Sequence, residues 1–260
     1  MTERPILAID TSGTRALVAL GTPDGGLVDE RRWMAGYRHG EELLGRVDEL
    51  LAANGTTLAE LSGIVVGTGP GAFTGMRVGI ATAKGLACGL GIPIAGVATS
   101  EALLSGVVGE GRAAGQERAA EVPGAARAPQ AAVASGPDSA SSTGSAVAGG
   151  GPAVLLLPAG PSDRVLVSGG VATLVRGGEE PVLPEGAPVV AVDLPGRAPE
   201  EALALGQRAG EGLSAALLSL GARRLAAGGD DVARLVPEYV TLPRGIGAVK
   251  GEVRWSRGPS

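Results

Sequence analysis

Apolar residues cluster in short runs near the start of the chain and then change period. Ile6 to Asp10 is a compact apolar run, and Arg15 to Leu20 and Leu27 to Met34 follow as extended segments. Thr11-Ser12-Gly13 and Pro23-Asp24-Gly25-Gly26 supply turns between them, so three antiparallel strands are predicted. From Glu41 to Ala53 the spacing becomes helical, with Leu43, Leu44, Val47, Leu50 and Leu51 on one face, an acidic first turn and Asn54-Gly55 as the stop. Gly63 to Gly67 reads as a buried strand, Gly75 to Leu90 as a second helix ended by Gly91-Ile92-Pro93, and Pro93 to Val97 as another strand.

The resulting order, β-β-β-α-β-α-β, matches a meander followed by right-handed crossovers that add parallel strands. That order describes an α/β ribonuclease-H-like half, the unit from which actin-like ATPase folds are built. Farther along, Ala153 to Leu157, Arg164 to Ser168 and Val189 to Leu194 read as strands of a small second sheet. A helix from Pro199 to Leu220, weakened by Gly206, Gly210 and Gly212, is expected to return and pack on the first lobe. Between the two regions, Gly109 to Pro152 is nearly all Ala, Gly, Ser, Pro, Gln, Glu and Arg. Such a stretch buries too little apolar surface to offset its ordering entropy and is expected to be disordered. The expected organisation is therefore a first lobe from 1–104 and 199–245, a low-complexity insertion at 105–152, a reduced second lobe at 153–198 and a flexible tail at 246–260.

The second helix and the loop before it carry the most distinctive pattern. Residues 67–75 form a loop of Gly, Pro, Thr and Ala around Phe73, the one phenylalanine of the chain. In the helix, Gly75, Gly79, Ala83 and Ala87 make one row of small residues, and Ala81, Gly85 and Gly89 make its neighbour. Interior glycines cost a helix about 1 kcal/mol each relative to alanine, so a close contact is expected to compensate. A flat small-residue face lets another helix approach, which predicts an interface here.

Composition narrows the classes. The 260 residues carry a net charge of −5 and are 44% hydrophobic but only 2% aromatic, so Leu, Val, Ile and Ala fill the core. An acidic chain with almost no stacking platforms and no basic run argues against direct nucleic-acid binding. The N-terminus enters a strand without a basic segment and apolar signal core, and no apolar stretch reaches spanning length, so a cytoplasmic location and no membrane partner are expected. The single cysteine, Cys88, allows no intramolecular disulfide and sits among small apolar residues, where a buried, inert thiol is expected.

Candidate chemistry is sparse. Asp10-Thr11-Ser12-Gly13-Thr14 after the first strand resembles the first phosphate loop of actin-like ATPases and sugar kinases, where an Asp helps hold a metal and turn amides meet phosphate. An Asx turn that satisfies local backbone donors explains the same residues. Residues 67–75 place amides at a helix N-terminus, yet Gly75-Met76-Arg77 stands where a Walker loop has Lys-Ser/Thr. Ser168-Gly169-Gly170-Val171-Ala172 reads either as a base-side loop or as a tight β-turn. His39, the single histidine, lies at a helix start; it has no second imidazole for a paired-His metal site and no supported nucleophile for Ser-His-Asp hydrolysis. No catalytic residue, metal site or cofactor is assigned.

Taken together, Ile6-Leu-Ala-Ile-Asp-Thr-Ser12, His39 ahead of the Leu-rich helix, Gly69-Pro-Gly-Ala-Phe-Thr-Gly-Met-Arg-Val-Gly79, Ala81-Thr-Ala-Lys-Gly-Leu86, Gly91-Ile-Pro93 and Glu101-Ala-Leu103 resemble the TsaB (YeaZ) family. These are the dimerisation subunits of the bacterial machinery that makes threonylcarbamoyladenosine in tRNA. Pro237-Glu-Tyr-Val240 echoes the family's C-terminal Pro-x-Tyr signature. The resemblance implies a two-lobed actin-like fold without catalysis of its own, serving as scaffold for a TsaD-like paralogue, reaching a TsaE-like ATPase through the complex and forming a homodimer when alone. It places the contact surface on His39, Leu43, Leu44, Val47, Leu50, Phe73, Gly75, Met76, Arg77, Gly79, Ile80, Ala83 and Lys84, with Asp10, Thr11 and Ser12 as a vestigial nucleotide loop. The second lobe departs from the family, since Leu157-Pro-Ala-Gly-Pro-Ser-Asp-Arg-Val-Leu-Val167 replaces its usual charged hairpin turn. An actin-like ATPase or kinase with residual nucleotide binding is the alternative function, opposed by the missing general base; a metallopeptidase fails on the single histidine.

Overall fold

The computed structural model describes residues 4–35, 39–105 and 152–240, with the side chain of His39 outside that set. The expectations for 106–151 and for the tail at 246–260 fall outside the described residues. Among the described residues, nine strands form two sheets. β1 (Ile6–Asp10), β2 (Arg15–Gly21), β3 (Leu27–Met34), β4 (Gly63–Gly67) and β5 (Ile94–Val97) are ordered β3-β2-β1-β4-β5. β1 pairs antiparallel with β2 through Ile9 and Val18 and parallel with β4 through Ile9 and Val66, as a meander followed by crossovers requires. The crossover helices are α1 (His39–Ala53) and α2 (Phe73–Leu90). A further helix, α3, begins at 99 and is described to 105.

Every residue of β1 and β4 is buried, because both faces of the sheet are covered. On one face Leu7, Ile9, Val18, Leu20, Ile64 and Val66 meet Leu43, Val47 and Leu50 of α1 and Ile80 and Ala83 of α2. On the other face, Ala8, Leu17, Ala19 and Val65 meet Leu213, Leu217 and Leu218 of the long helix α4 (Glu200–Ala226). The same cluster takes in Leu155, Leu157, Val165 and Val167 of the second sheet, so α4 packs as a middle layer against both sheets. Its approach to the second sheet is close: a side chain at Gly206 would collide with the carbonyl oxygen of Ala191. The glycines that weaken this helix in isolation thus include one that a backbone contact requires.

The second sheet comprises β6 (Val154–Pro158), β7 (Arg164–Ser168), β8 (Val171–Val175) and β9 (Val189–Ala191), ordered β8-β7-β6-β9. β8 was not predicted. Gly169 and Gly170, at φ 56° and 79°, form the two-residue turn that joins it to β7, so the Ser168 to Ala172 segment is a hairpin turn. After α4 the chain runs along the β5 side of the first sheet. Asp230 donates its amide to Ile94 and accepts the Gly96 amide on Oδ2, both at 2.7 Å.

Candidate functional site

The residues singled out in the sequence divide into a buried polar cluster, an inner helix face and an outer helix face. Asp10 ends β1 and is buried at the head of the cleft between the sheets. Its Oδ1 accepts the Ser12 amide at 2.8 Å and the Ser12 hydroxyl at 2.7 Å, and its Oδ2 accepts the Thr99 hydroxyl at 2.6 Å. Thr99 Oγ1 in turn accepts the Gly69 amide at 3.2 Å, tying α3 and the loop after β4 to the carboxylate. Burial pushes the Asp10 carboxyl above its ordinary range, against the lowering effect of the hydrogen bonds from Thr99 and Ser12. Thr11 points the other way and donates to the Gly75 carbonyl at 2.6 Å. All three residues of the expected nucleotide loop are therefore engaged with the chain's own groups.

The cleft itself is open and has a volume of about 1500 Å³, with Asp10, Thr14, Phe73, Thr99 and Asp193 among its lining. Thr99 and Asp193 had no signal in the sequence, since only the fold brings residues 99 and 193 beside residues 10–14. Among the described residues no group of three or more His, Cys, Asp or Glu is placed to hold a metal ion. No described helix is long and apolar enough to cross a membrane.

The inner face of the helix pair holds part of the expected contact set. Gly75, Met76, Gly79, Ile80 and Ala83 of α2 and Leu43, Val47 and Leu50 of α1 are buried against their own sheet. A side chain at Gly79 would collide with Thr11 Oγ1 and lie 3.8 Å from Ile9. The Gly75/Gly79/Ala83/Ala87 row thus seats α2 on the chain's own core, where its small size is needed. The outward row is the neighbouring one. Ala81, Gly85, Cys88 and Gly89 are exposed, and a Cβ at Gly85 or Gly89 meets nothing within 4 Å. Cys88 is accordingly an exposed thiol rather than a buried one. On α1, Leu44 stands apart from its buried neighbours at 53% exposure, and Lys84 of α2 is half-buried. The backbone of His39 opens α1.

Arg77 heads the outward row and is held by aromatic rings. Its guanidinium carbon lies 3.8 Å from the Phe73 ring centroid and 5.4 Å from that of Tyr239, and Nε donates to the Tyr239 hydroxyl at 2.6 Å. The two rings lie 5.2 Å apart. In a chain that is 2% aromatic, two rings converging on one exposed arginine concentrate the groups most often found at binding hot spots. The Pro237 to Val240 segment reaches this place through Glu238, which donates its amide to the Thr68 carbonyl at 2.9 Å and accepts the Thr68 hydroxyl at 2.8 Å.

The family model for TsaD, tRNA N6-adenosine threonylcarbamoyltransferase, matches residues 19–117. The tRNA threonylcarbamoyladenosine biosynthesis protein TsaB of Escherichia coli is 38% identical over 101 residues, which is 39% of this chain and 43% of that protein. The tRNA N6-adenosine threonylcarbamoyltransferase of Paracoccus denitrificans is 43% identical over 95 residues, covering 36% of this chain and 25% of that one. These alignments span less than half the length of the relatives they match. The solved structure of YeaZ from Pseudomonas aeruginosa shares the fold, with a TM-score of 0.54 at 22% identity over 90% of this chain and 99% of that one. The YeaZ likeness, over 90% of the chain, takes in both sheets.

Proposed function

We propose that this chain, a relative of TsaB and YeaZ, is an accessory subunit in the formation of threonylcarbamoyladenosine in tRNA, and that it docks a TsaD-like subunit through the outward face of α1 and α2. The observation that carries the reading is the bare outer row of α2, with open space at Gly85 and Gly89 and headed by the ring-held Arg77, together with the exposure of Leu44 on α1. Such a row admits another helix at short distance, and a stacked arginine with aromatic support anchors its end. The first lobe closed by α4 presents this face, and the reduced second lobe lies on the opposite side of the sheet. In this reading the chain has no catalysis of its own, works in the cytoplasm, pairs with a second copy when the partner is absent and meets a TsaE-like ATPase only through the complex. The three hydrogen bonds that Asp10 accepts from the chain's own groups support a structural role over a metal-holding one.

Purified full chain and the TsaD-like protein of the same organism provide the test. Replacing Ala81 or Gly85 by Trp should abolish co-elution in size-exclusion chromatography with light scattering while leaving the melting temperature unchanged. Undiminished association in both variants refutes the docking face. ATP turnover by the purified chain that vanishes in Asp10→Ala would instead support the ATPase alternative.

A further inference from the structure

The exposed guanidinium of Arg77 is held by its surroundings yet keeps one edge open. Its carbon lies 3.8 Å from the centroid of the Phe73 ring, which covers one face, and Nε is engaged by the Tyr239 hydroxyl at 2.6 Å. Among the described residues, Nη1 and Nη2 have no hydrogen-bond or ion-pair partner. Tyr239 is itself placed by the two hydrogen bonds that its neighbour Glu238 makes with Thr68. An arginine fixed in this way has lost much of its rotamer freedom before any partner arrives, so little ordering remains to be done on binding. The open edge is the planar fork that matches a carboxylate through two parallel hydrogen bonds.

The surrounding charge selects among anions. α2 carries Arg77 and Lys84 and no acidic residue, whereas α1, packed beside it on the same sheet face, carries Glu41, Glu42, Asp48 and Glu49 against Arg46. A nucleic-acid backbone needs a run of cations, and an acidic helix beside two isolated ones opposes it. A single carboxylate needs only the fork. We propose that Arg77 receives one Asp or Glu carboxylate of the TsaD-like partner, end-on through Nη1 and Nη2, with Phe73 and Tyr239 setting its orientation. This inference rests on the docking face of α1 and α2 and names the group which that face recognises.

The experiment titrates the TsaD-like protein into the full chain by calorimetry, comparing wild type, Arg77→Lys, Arg77→Glu and, as a control on the face itself, Gly85→Trp. Lysine keeps the charge and loses the fork, so Arg77→Lys should bind about ten-fold more weakly. Glutamate sets two like charges together, so Arg77→Glu should bind about a hundred-fold more weakly or worse. Among variants of the partner in which one surface Asp or Glu becomes Arg, one should recover most of the affinity for Arg77→Glu and weaken binding to the wild-type chain. If Gly85→Trp abolishes binding while both Arg77 variants bind like wild type, the docking face stands and the proposal is overturned. If Gly85→Trp changes nothing, the face itself falls and the proposal with it. Loss of affinity in Arg77→Glu that no partner substitution restores overturns it as well. So does an Arg77→Glu chain that keeps the partner but loses binding of tRNA, because the ligand would then be a phosphate.

Discussion

Replacing Gly79 by leucine tests the seating of α2 most directly. A Cβ at this position already collides with Thr11 Oγ1, and the next nearest wall is Ile9, so no part of a leucine side chain has room. Forcing it in should cost about 1–3 kcal/mol of overpacking. Displacing Thr11 also breaks its 2.6 Å bond to the Gly75 carbonyl, for about 1 kcal/mol more. Against this, removing an interior glycine returns about 1 kcal/mol of helix propensity. The net expectation is a loss of about 2 kcal/mol, which for a protein of this size lowers the melting temperature by about 4–8 °C. Gly85, on the outward row, is the control. Nothing lies within 4 Å of its Cβ position, so Gly85→Ala should keep the propensity gain and raise the melting temperature by about 2–4 °C. Scanning calorimetry of the full chain reads both. At a temperature where both variants are fully folded, Gly79→Leu should retain whatever affinity wild type has for the proposed TsaD-like partner, because residue 79 is buried. A melting temperature for Gly79→Leu equal to that of wild type, or one falling equally in both variants, would refute the assignment of inner and outer rows.

Burial raises the Asp10 carboxyl above its ordinary value of 3.8, so the folded state holds that proton more tightly than the unfolded one. Its contribution to stability is then greatest below that value and is lost as pH rises through the folded value. Urea melts across this range should show Asp10→Asn losing less stability with rising pH than wild type, and parallel curves would contradict the burial argument. Asp10→Ala strands the Ser12 amide and hydroxyl and the Thr99 hydroxyl, and should cost about 2–4 kcal/mol in the same melts at neutral pH. Tyr239→Phe keeps the ring against Phe73 but removes the acceptor for Arg77 Nε. It should change stability by less than about 1 kcal/mol and weaken partner binding several-fold by isothermal titration, whereas unchanged affinity would remove Arg77 from the contact.

Local pattern specified the elements of the first lobe. The β-β-β-α-β-α-β order, the strand at Gly63–Gly67 and the stop of α2 at Gly91, which adopts a left-handed φ of 65°, follow from periods of two and of 3.6 residues and from turn residues. Those signals are intrinsic to the chain over a few residues, so they survive without knowledge of the fold. The two rows of small residues along α2 were equally legible, but which row faces the core was not. Both consist of glycine and alanine, and only the position of Thr11 at the end of β1 decides that Gly79 is covered and Gly85 is bare. For the same reason Cys88 turned outward. Where the pattern was weak, tertiary contact supplied the structure: β8 forms because two glycines let the chain fold back onto β7, and α4 carries Gly206 because β9 lies against it. The contacts of Asp10 with Thr99, of Thr14 with Asp193 and of Arg77 with Tyr239 join residues 89, 179 and 162 positions apart. No local period encodes a pairing over such distances; it arises only when the packed chain brings the partners within reach of one another.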